Sequence, residues 1–269
     1  MNKRESLDTL CAALARAIGV DRPKYASSPS ALLCDYLDSQ LKGGCVDRIF
    51  MYNPDAIGQW IYEKYAQLLS EVKECTDIEV DFATVMPSVT PVCFATMYTG
   101  AQPSVHGIQS YVKPVITIDT LFDALIRCGK KPAIVSTSND SMSKIFLGRD
   151  MDYYIFDSIY EVNQKAAELI REDKYDVIAV YNGNYDTAMH KYGPESEEAL
   201  AELADNARSF CMFDALIEKH WGVHNTLIGF SMDHGCHEID GGCGSHGLDM
   251  EEDVNIVHLY KVRKTNIEN

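Results

Sequence analysis

Arg48-Ile49-Phe50-Met51-Tyr52-Asn53-Pro54-Asp55-Ala56 decides the fold of this chain. Ile49 to Tyr52 read as a strand buried on both faces, and Asn53-Pro54 ends it immediately before a carboxylate. A long helix is expected over 57–74, with an apolar stripe at Ile61, Tyr65, Leu68, Leu69 and Val72. The alternation continues with strand 78–84, helix 91–99 ended by Gly100, helix 121–128 closed by Gly129, and strand 132–137. Helix 159–172, strand 176–181, helix 195–220, strand 226–232 and a last strand 255–260 follow. Upstream, Leu7, Leu10, Leu14 and Ile18 share one helical face closed by Gly19, and a second helix covers 29–41. This pattern predicts an α/β fold, a three-layer sandwich whose largely parallel central sheet is covered by helices on both faces. Residues 1–44 are read as a helical N-terminal extension and 45–269 as the main domain, compact overall.

The composition bounds what such a domain does. A chain of 269 residues with 46% hydrophobic content can bury a sizeable core. The formal charge of −16 excludes a general nucleic-acid surface, which needs a basic face. It also repels anionic substrates unless cations sit in the site and reverse the field locally. Nine Cys at irregular spacing suit reduced thiols rather than a disulfide framework. No apolar run reaches the ~18 residues of a membrane span, and the opening residues show no secretory pattern, so a cytoplasmic location and no membrane partner are expected.

Ligand-type residues fall at the ends of the predicted strands. Asp55 follows one, Thr90 another, Asp186 a third, and Asp233-His234 a fourth. In open α/β sheets that rim binds ligands. Asp186 and His190 are four apart and share a face if the chain turns helical there, and His246 lies in Gly244-Ser245-His246-Gly247. Three Asp and three His suit a pair of divalent cations. Thr90-Pro91 has two compatible readings. The pair can start a helix as N-cap and first-turn proline, or aim a hydroxyl at the positive helix end for use as a nucleophile.

Competing patterns carry less. Gly242 to Gly247 fits G-x-G-x-x-G, yet no strand feeds it and too little chain remains for a dinucleotide unit. No phosphate-binding Walker loop is present, and His220 and His224 are given no role. Cys236, His237, Cys243 and His246 can form a compact structural zinc site, but that leaves Asp55, Asp186 and Asp233 unexplained.

The order of these motifs resembles the alkaline phosphatase superfamily, in particular its nucleotide pyrophosphatase/phosphodiesterase-like branch. The similarity runs from about Asp47 to Tyr260, through Asn53 to Ala56, Pro87 to Pro91, Pro103 to Ile108, Asp186 to Pro194, Asp233 to Gly235 and Gly244 to Gly247. The resemblance implies that 45–269 is an alkaline phosphatase-like catalytic domain. It implies one metal held by Asp186, His190 and His246, and another held by Asp55, Asp233, His234 and Thr90. Zinc is the expected metal, with manganese as the alternative. Thr90 is the implied nucleophile, giving a phosphothreonine intermediate that water releases.

The chain departs from the family at several points. Cys93 stands where relatives place an Asn near the nucleophile, and is taken as the substrate-binding position. A basic phosphate clamp has no evident equivalent, the sulfatase signature is absent, and Ala56 replaces the usual Gly. The expected activity is hydrolysis of phosphate esters, as phosphodiester or nucleotide pyrophosphate bonds of a small substrate. A phosphomonoesterase or phosphonate hydrolase is the alternative within the superfamily, and a non-catalytic protein with the cysteine-histidine zinc site is the alternative outside it.

Overall fold

The structure is a computed structural model that describes residues 4–265. The outer ends of both expected segments, residues 1–3 and 266–269, lie outside the described residues. Its strands are β1 (Glu5–Ser6), β2 (Arg48–Pro54), β3 (Ile78–Ala83), β4 (Pro132–Thr137), β5 (Asp152–Phe156), β6 (Val177–Asn182), β7 (Thr226–Ser231), β8 (His237–Ile239), β9 (Cys243–Ser245) and β10 (Asn255–Arg263). The helices are α1 (Leu10–Ala17), α2 (Ala31–Leu41), α3 (Gln59–Lys64), α4 (Ser70–Glu74), α5 (Thr90–Thr99), α6 (Pro103–His106), α7 (Leu121–Arg127), α8 (Ser141–Ile145), α9 (Ile159–Glu172), α10 (Asn184–Tyr192), α11 (Glu197–His220) and α12 (Glu251–Val254).

One sheet runs β1-β3-β10-β7-β2-β6-β4-β5. Strand β10 is antiparallel to both neighbours, and every other pairing in that sheet is parallel. The expected α/β architecture is therefore present, and β2, β3, β6 and β7 all end on the same rim. Strand β2 shows why two helical layers are needed. Its alternate side chains point to opposite faces. Phe50 and Tyr52 meet Phe213 of α11 at ring distances of 5.1 and 5.8 Å. Asn53 points the other way, where its side-chain oxygen accepts from the Tyr98 hydroxyl of α5 at 3.1 Å. Asn53 Nδ2 also donates to the Met51 and Val180 carbonyls, so a polar residue sits satisfied between β2 and β6.

Several elements differ from the sequence reading. The helix expected over 57–74 is broken into α3, a 3-10 turn at Ala66–Leu68, and α4. Tyr65 and Leu69 leave helical geometry because α3 lies on β10 whereas α4 packs on α11, so the apolar stripe bends to follow two surfaces. The N-terminal segment contributes a strand as well as helices, since Glu5 and Ser6 pair with Phe82 and Ala83. Strand β5 escaped notice because it is a sheet edge with no fully buried residue, which weakens the apolar signal. Among the described residues, no helix is long and apolar enough to cross a membrane.

His258 ties β10 to the rim. Its Nε2 donates to the Met232 carbonyl at 2.6 Å, and its Nδ1 accepts from the Tyr260 hydroxyl at 2.8 Å. Burial pushes its pKa down to about 4. A folded value below the unfolded one of ~6.5 makes the unfolded chain take up the proton first. The stabilisation is thus complete above about pH 6.5 and lost as pH falls towards the folded value. Melting temperature should decline between those limits, and the His258→Gln variant should show a shallower decline. Circular dichroism melts across that range measure the difference in slope.

Candidate functional site

Asp55, Asp186 and Asp233 follow three adjacent strands, because β2 lies between β6 and β7. Register brings their ends level, with Pro54 opposite Asn182 and Tyr52 opposite Phe230. Two groups of potential ligands form there, Asp55 with Asp233 and His234, and Asp186 with His190 and His246. Within each group the ligand atoms lie within 4.8 Å of one another. The groups abut, since the His234 and His246 ring centroids are 4.2 Å apart. These are the six ligand-type residues of the sequence reading, in the same two sets.

The histidines are held in one tautomer. Nδ1 of His190 donates to the Gly244 carbonyl, that of His234 to the Gly235 carbonyl, and that of His246 to the Ser88 carbonyl, at 3.0, 2.9 and 3.2 Å. With the proton on Nδ1, the neutral form of each ring would present an Nε2 lone pair to the site, the arrangement that metal-bound imidazoles use. Asp55 Oδ1, Asp186 Oδ1 and Asp233 Oδ2 are buried oxygens that accept no hydrogen bond. Imidazole Nε2 atoms approach them at 3.2–3.4 Å without hydrogen-bond geometry. Oxygen and imidazole donors in this ratio fit hard or borderline divalent ions such as manganese or zinc.

Electrostatics follow from burial. Desolvation, then the nearby Asp186 charge, raises the Asp55 pKa to about 7. Desolvation, then Asp55, raises Asp233 well above the carboxylate range. Asp186 is also buried, yet His190 and His246 hold it below that range. In turn Asp186 lifts His190 to about 9, whereas burial, then His246, drives His234 well down.

Thr90 lies beside the Asp55 group. Its hydroxyl lies 3.4 Å from Asp55 Oδ2 and 3.3 Å from His234 Nε2. It does not cap α5, whose N-cap position is Val89 and which has no side-chain capping bond. Cys93, one turn on, has no exposed surface, and burial keeps its thiol protonated. That thiol meets the Thr84 hydroxyl at 3.0 Å, and Thr84 donates to the Asp233 carbonyl at 2.9 Å.

Backbone geometry shapes the remainder. Ala56 adopts φ 63°, a region costly for residues with a Cβ, which turns its N–H onto Asp233 Oδ1 at 3.2 Å. The β8–β9 hairpin delivers His246, and a Cβ on Gly244 would lie 2.2 Å from Met189 Sδ. Gly235 is equally constrained, since a Cβ there would meet the Glu252 carbonyl at 1.9 Å.

Tyr181 was missed by the sequence reading, although its hydroxyl donates to Asp55 Oδ2 at 2.6 Å. Its place at the end of an apolar strand, five residues before Asp186, was the available signal. The alternative cysteine-histidine zinc site does not form. Cys236 is buried against Tyr185, His237 bonds Asp253, Cys243 faces the Lys191 carbonyl, and His246 joins Asp186.

The fold is that of the alkaline phosphatase superfamily. Within it, the sequence model of the type I phosphodiesterase / nucleotide pyrophosphatase family matches residues 135–266, which include Asp186, His190, Asp233, His234 and His246. Murine ectonucleotide pyrophosphatase / phosphodiesterase 5, as an inactive variant in complex with AMP, superposes with TM-score 0.58 at 14% identity, over 72% of this chain and 59% of that one. Phosphonoacetate hydrolase from Sinorhizobium meliloti, in complex with phosphonoacetate, gives 0.54 at 18%, over 72% and 58%. The human phosphodiesterase 5 counterpart gives 0.55 at 14%, over 72% and 58%. This chain thus spans less than two thirds of each solved relative. No curated protein sequence matches it.

Metal content tests the two groups separately. Carefully loaded protein should hold about two equivalents of divalent ion, the number that paired sites take. Asp55→Ala and Asp186→Ala should each lose roughly one by elemental analysis, whereas Cys236→Ala and Cys243→Ala should lose none.

Proposed function

We propose that this chain hydrolyses phosphate esters, cleaving phosphodiester or nucleotide pyrophosphate bonds with Thr90 as nucleophile. The observation that carries this reading is the Thr90 hydroxyl, 2% exposed and facing the ligand groups instead of capping its helix. Asp55, Asp233, His234 and Thr90 would hold one divalent ion, zinc or manganese, and Asp186, His190 and His246 the other. When bound, such a pair supplies the positive charge that favours the ionised hydroxyl and steadies the departing oxygen.

The residues of the chain divide the remaining work. Thr90 Oγ1, having lost its proton, attacks phosphorus as the bond to the leaving oxygen breaks, which gives phosphothreonine and an alcohol or phosphate product. Water then forms the new bond to phosphorus and Thr90 leaves with its oxygen, regaining a proton. Tyr181 orients Asp55, and the Ala56 N–H orients Asp233. The thiol of Cys93 supports Thr84, which in turn fixes the backbone of Asp233.

Metal-loaded protein assayed on p-nitrophenyl mono- and diesters tests the reading. Thr90→Ala should abolish turnover with a stability change within about 1 kcal/mol, because no capping bond is lost. Thr90→Ser should keep part of the activity, and rapid quenching followed by mass spectrometry should find phosphate on Thr90. Turnover by Thr90→Ala at the parental rate would refute the assignment.

Cys93→Ala should slow the reaction by less than about tenfold. A loss of roughly a hundredfold or more, with metal still bound, would instead match removal of a direct oxyanion donor.

A further inference from the structure

Cys75 and Cys211 bring their sulfurs to 3.1 Å from each other, although 136 positions separate them along the chain. Cys75 is the residue on which α4 ends, and Cys211 lies within α11. Both are half-buried. All nine cysteines are free thiols, and among the described residues this is the pair whose sulfurs meet. The meeting follows from the bend after α3, which lets α4 pack on α11.

The pair is not part of a metal site. Among the described residues, the groups able to hold an ion are the two at the rim, and neither includes a cysteine. Asp214, which lies near both thiols, is already held by Arg263 at 2.7 and 2.6 Å. The two thiols are also unequal. Burial raises the pKa of each, but at Cys75 the contact with Cys211 and the Lys261 charge oppose that rise. At Cys211 the Cys75 sulfur, Glu71 and Asp214 add to it. Cys75 is therefore the more readily ionised sulfur, and Cys211 stands protonated beside it.

We propose that Cys75 and Cys211 are a redox-modification site, at which a hydroperoxide such as hydrogen peroxide joins them in a reversible disulfide. The Cys75 thiolate attacks one peroxide oxygen and the O–O bond breaks, leaving a sulfenic acid on Cys75 and a hydroxide. That hydroxide takes up the proton Cys75 had lost and becomes water. The Cys211 sulfur then attacks the Cys75 sulfur and the S–O bond breaks. The hydroxyl leaves with the Cys211 proton as a second water. Two thiols are oxidised and one peroxide is reduced. Closing the sulfurs from 3.1 Å to the ~2.05 Å of a disulfide needs about 1 Å of movement. Cys75 stands at the end of a five-residue helix, and helix ends fray readily. The bond closes a long loop and braces α4 on α11, which stabilises chiefly by restricting the unfolded chain. The braced helix is the one whose Phe213 covers Phe50 and Tyr52 of β2, the strand leading to Asp55.

The test uses the full chain, reduced, freed of reductant and treated with a small excess of hydrogen peroxide before free thiols are alkylated. Peptide mass spectrometry without reduction should find Cys75 linked to Cys211, in a yield independent of protein concentration. The melting temperature should rise by about 5 °C or more, the scale expected for so long a loop, and dithiothreitol should reverse the rise. Cys75→Ser and Cys211→Ser should each lose the link and the rise, whereas Cys128→Ser, at an exposed cysteine, should keep both. Recovery of both thiols in alkylated form, their separate oxidation to sulfinic acids, or a link from either to another cysteine would overturn the site. A linked pair with no gain in melting temperature would overturn the brace. The parental digest decides the first point even if a variant fails to fold.

Discussion

Two carboxylates, Asp55 and Asp233, are buried against each other at the end of the central strands, at 1% and 0% exposure. Among the described residues neither pairs with a lysine or arginine, and the histidine between them is held neutral. Burying one such group is costly, and burying two leaves mutual repulsion that only a cation or a proton relieves. The fold accepts this cost because much of the surrounding backbone is committed to holding the pair. Ala56 takes a left-handed conformation to reach Asp233, Thr84 anchors the Asp233 carbonyl, and Tyr181 reaches across from β6 to Asp55. A divalent ion that binds these ligands in the folded chain alone would stabilise the fold by mass action.

Much of this was legible in the sequence, for identifiable reasons. Ile49 to Tyr52 are apolar on both faces because β2 is central, flanked by β6 and β7 and covered by helices above and below. Strand-end carboxylates are visible because a charged residue directly after such a run has nowhere to go but the rim. What stayed hidden depends on tertiary geometry. The bend at Tyr65 and Leu69 arises from two packing surfaces that no local spacing encodes. The hydroxyl of Tyr181 ends a strand of otherwise apolar character, so its link to Asp55 cannot be read from periodicity. Thr90-Pro91 carried two readings in sequence, and only the direction of the hydroxyl separates them.

The departures from the family pattern also acquire physical content. Ala56 in place of Gly keeps the left-handed turn at some cost in strain, and the Asp233 carboxylate compensates by accepting its N–H. Cys93 in place of Asn stands in a sealed wall behind Thr90, so its contribution passes through Thr84 to the Asp233 backbone. The cavity beside Asp186 is lined by Asp140, Asp157, Glu202 and Asp205, with Lys113 as a cationic side chain.

The two ligand groups are unlike in access. Asp55, Asp233 and His234 have essentially no contact with solvent, whereas the His190 side chain is 43% exposed and Asp186 lines the cavity. On the proposed reading, the cavity beside Asp186 would be the approach for the ester and for the water that follows it. A leaving alcohol held by the cavity walls would stand in the path of that water. Affinity for the alcohol portion would thus aid the first proposed step and delay the second, so the walls would serve turnover best by holding the substrate through a few replaceable polar contacts. The polar lining that includes Asn163, Asp157 and Asp205 suits contacts of that kind.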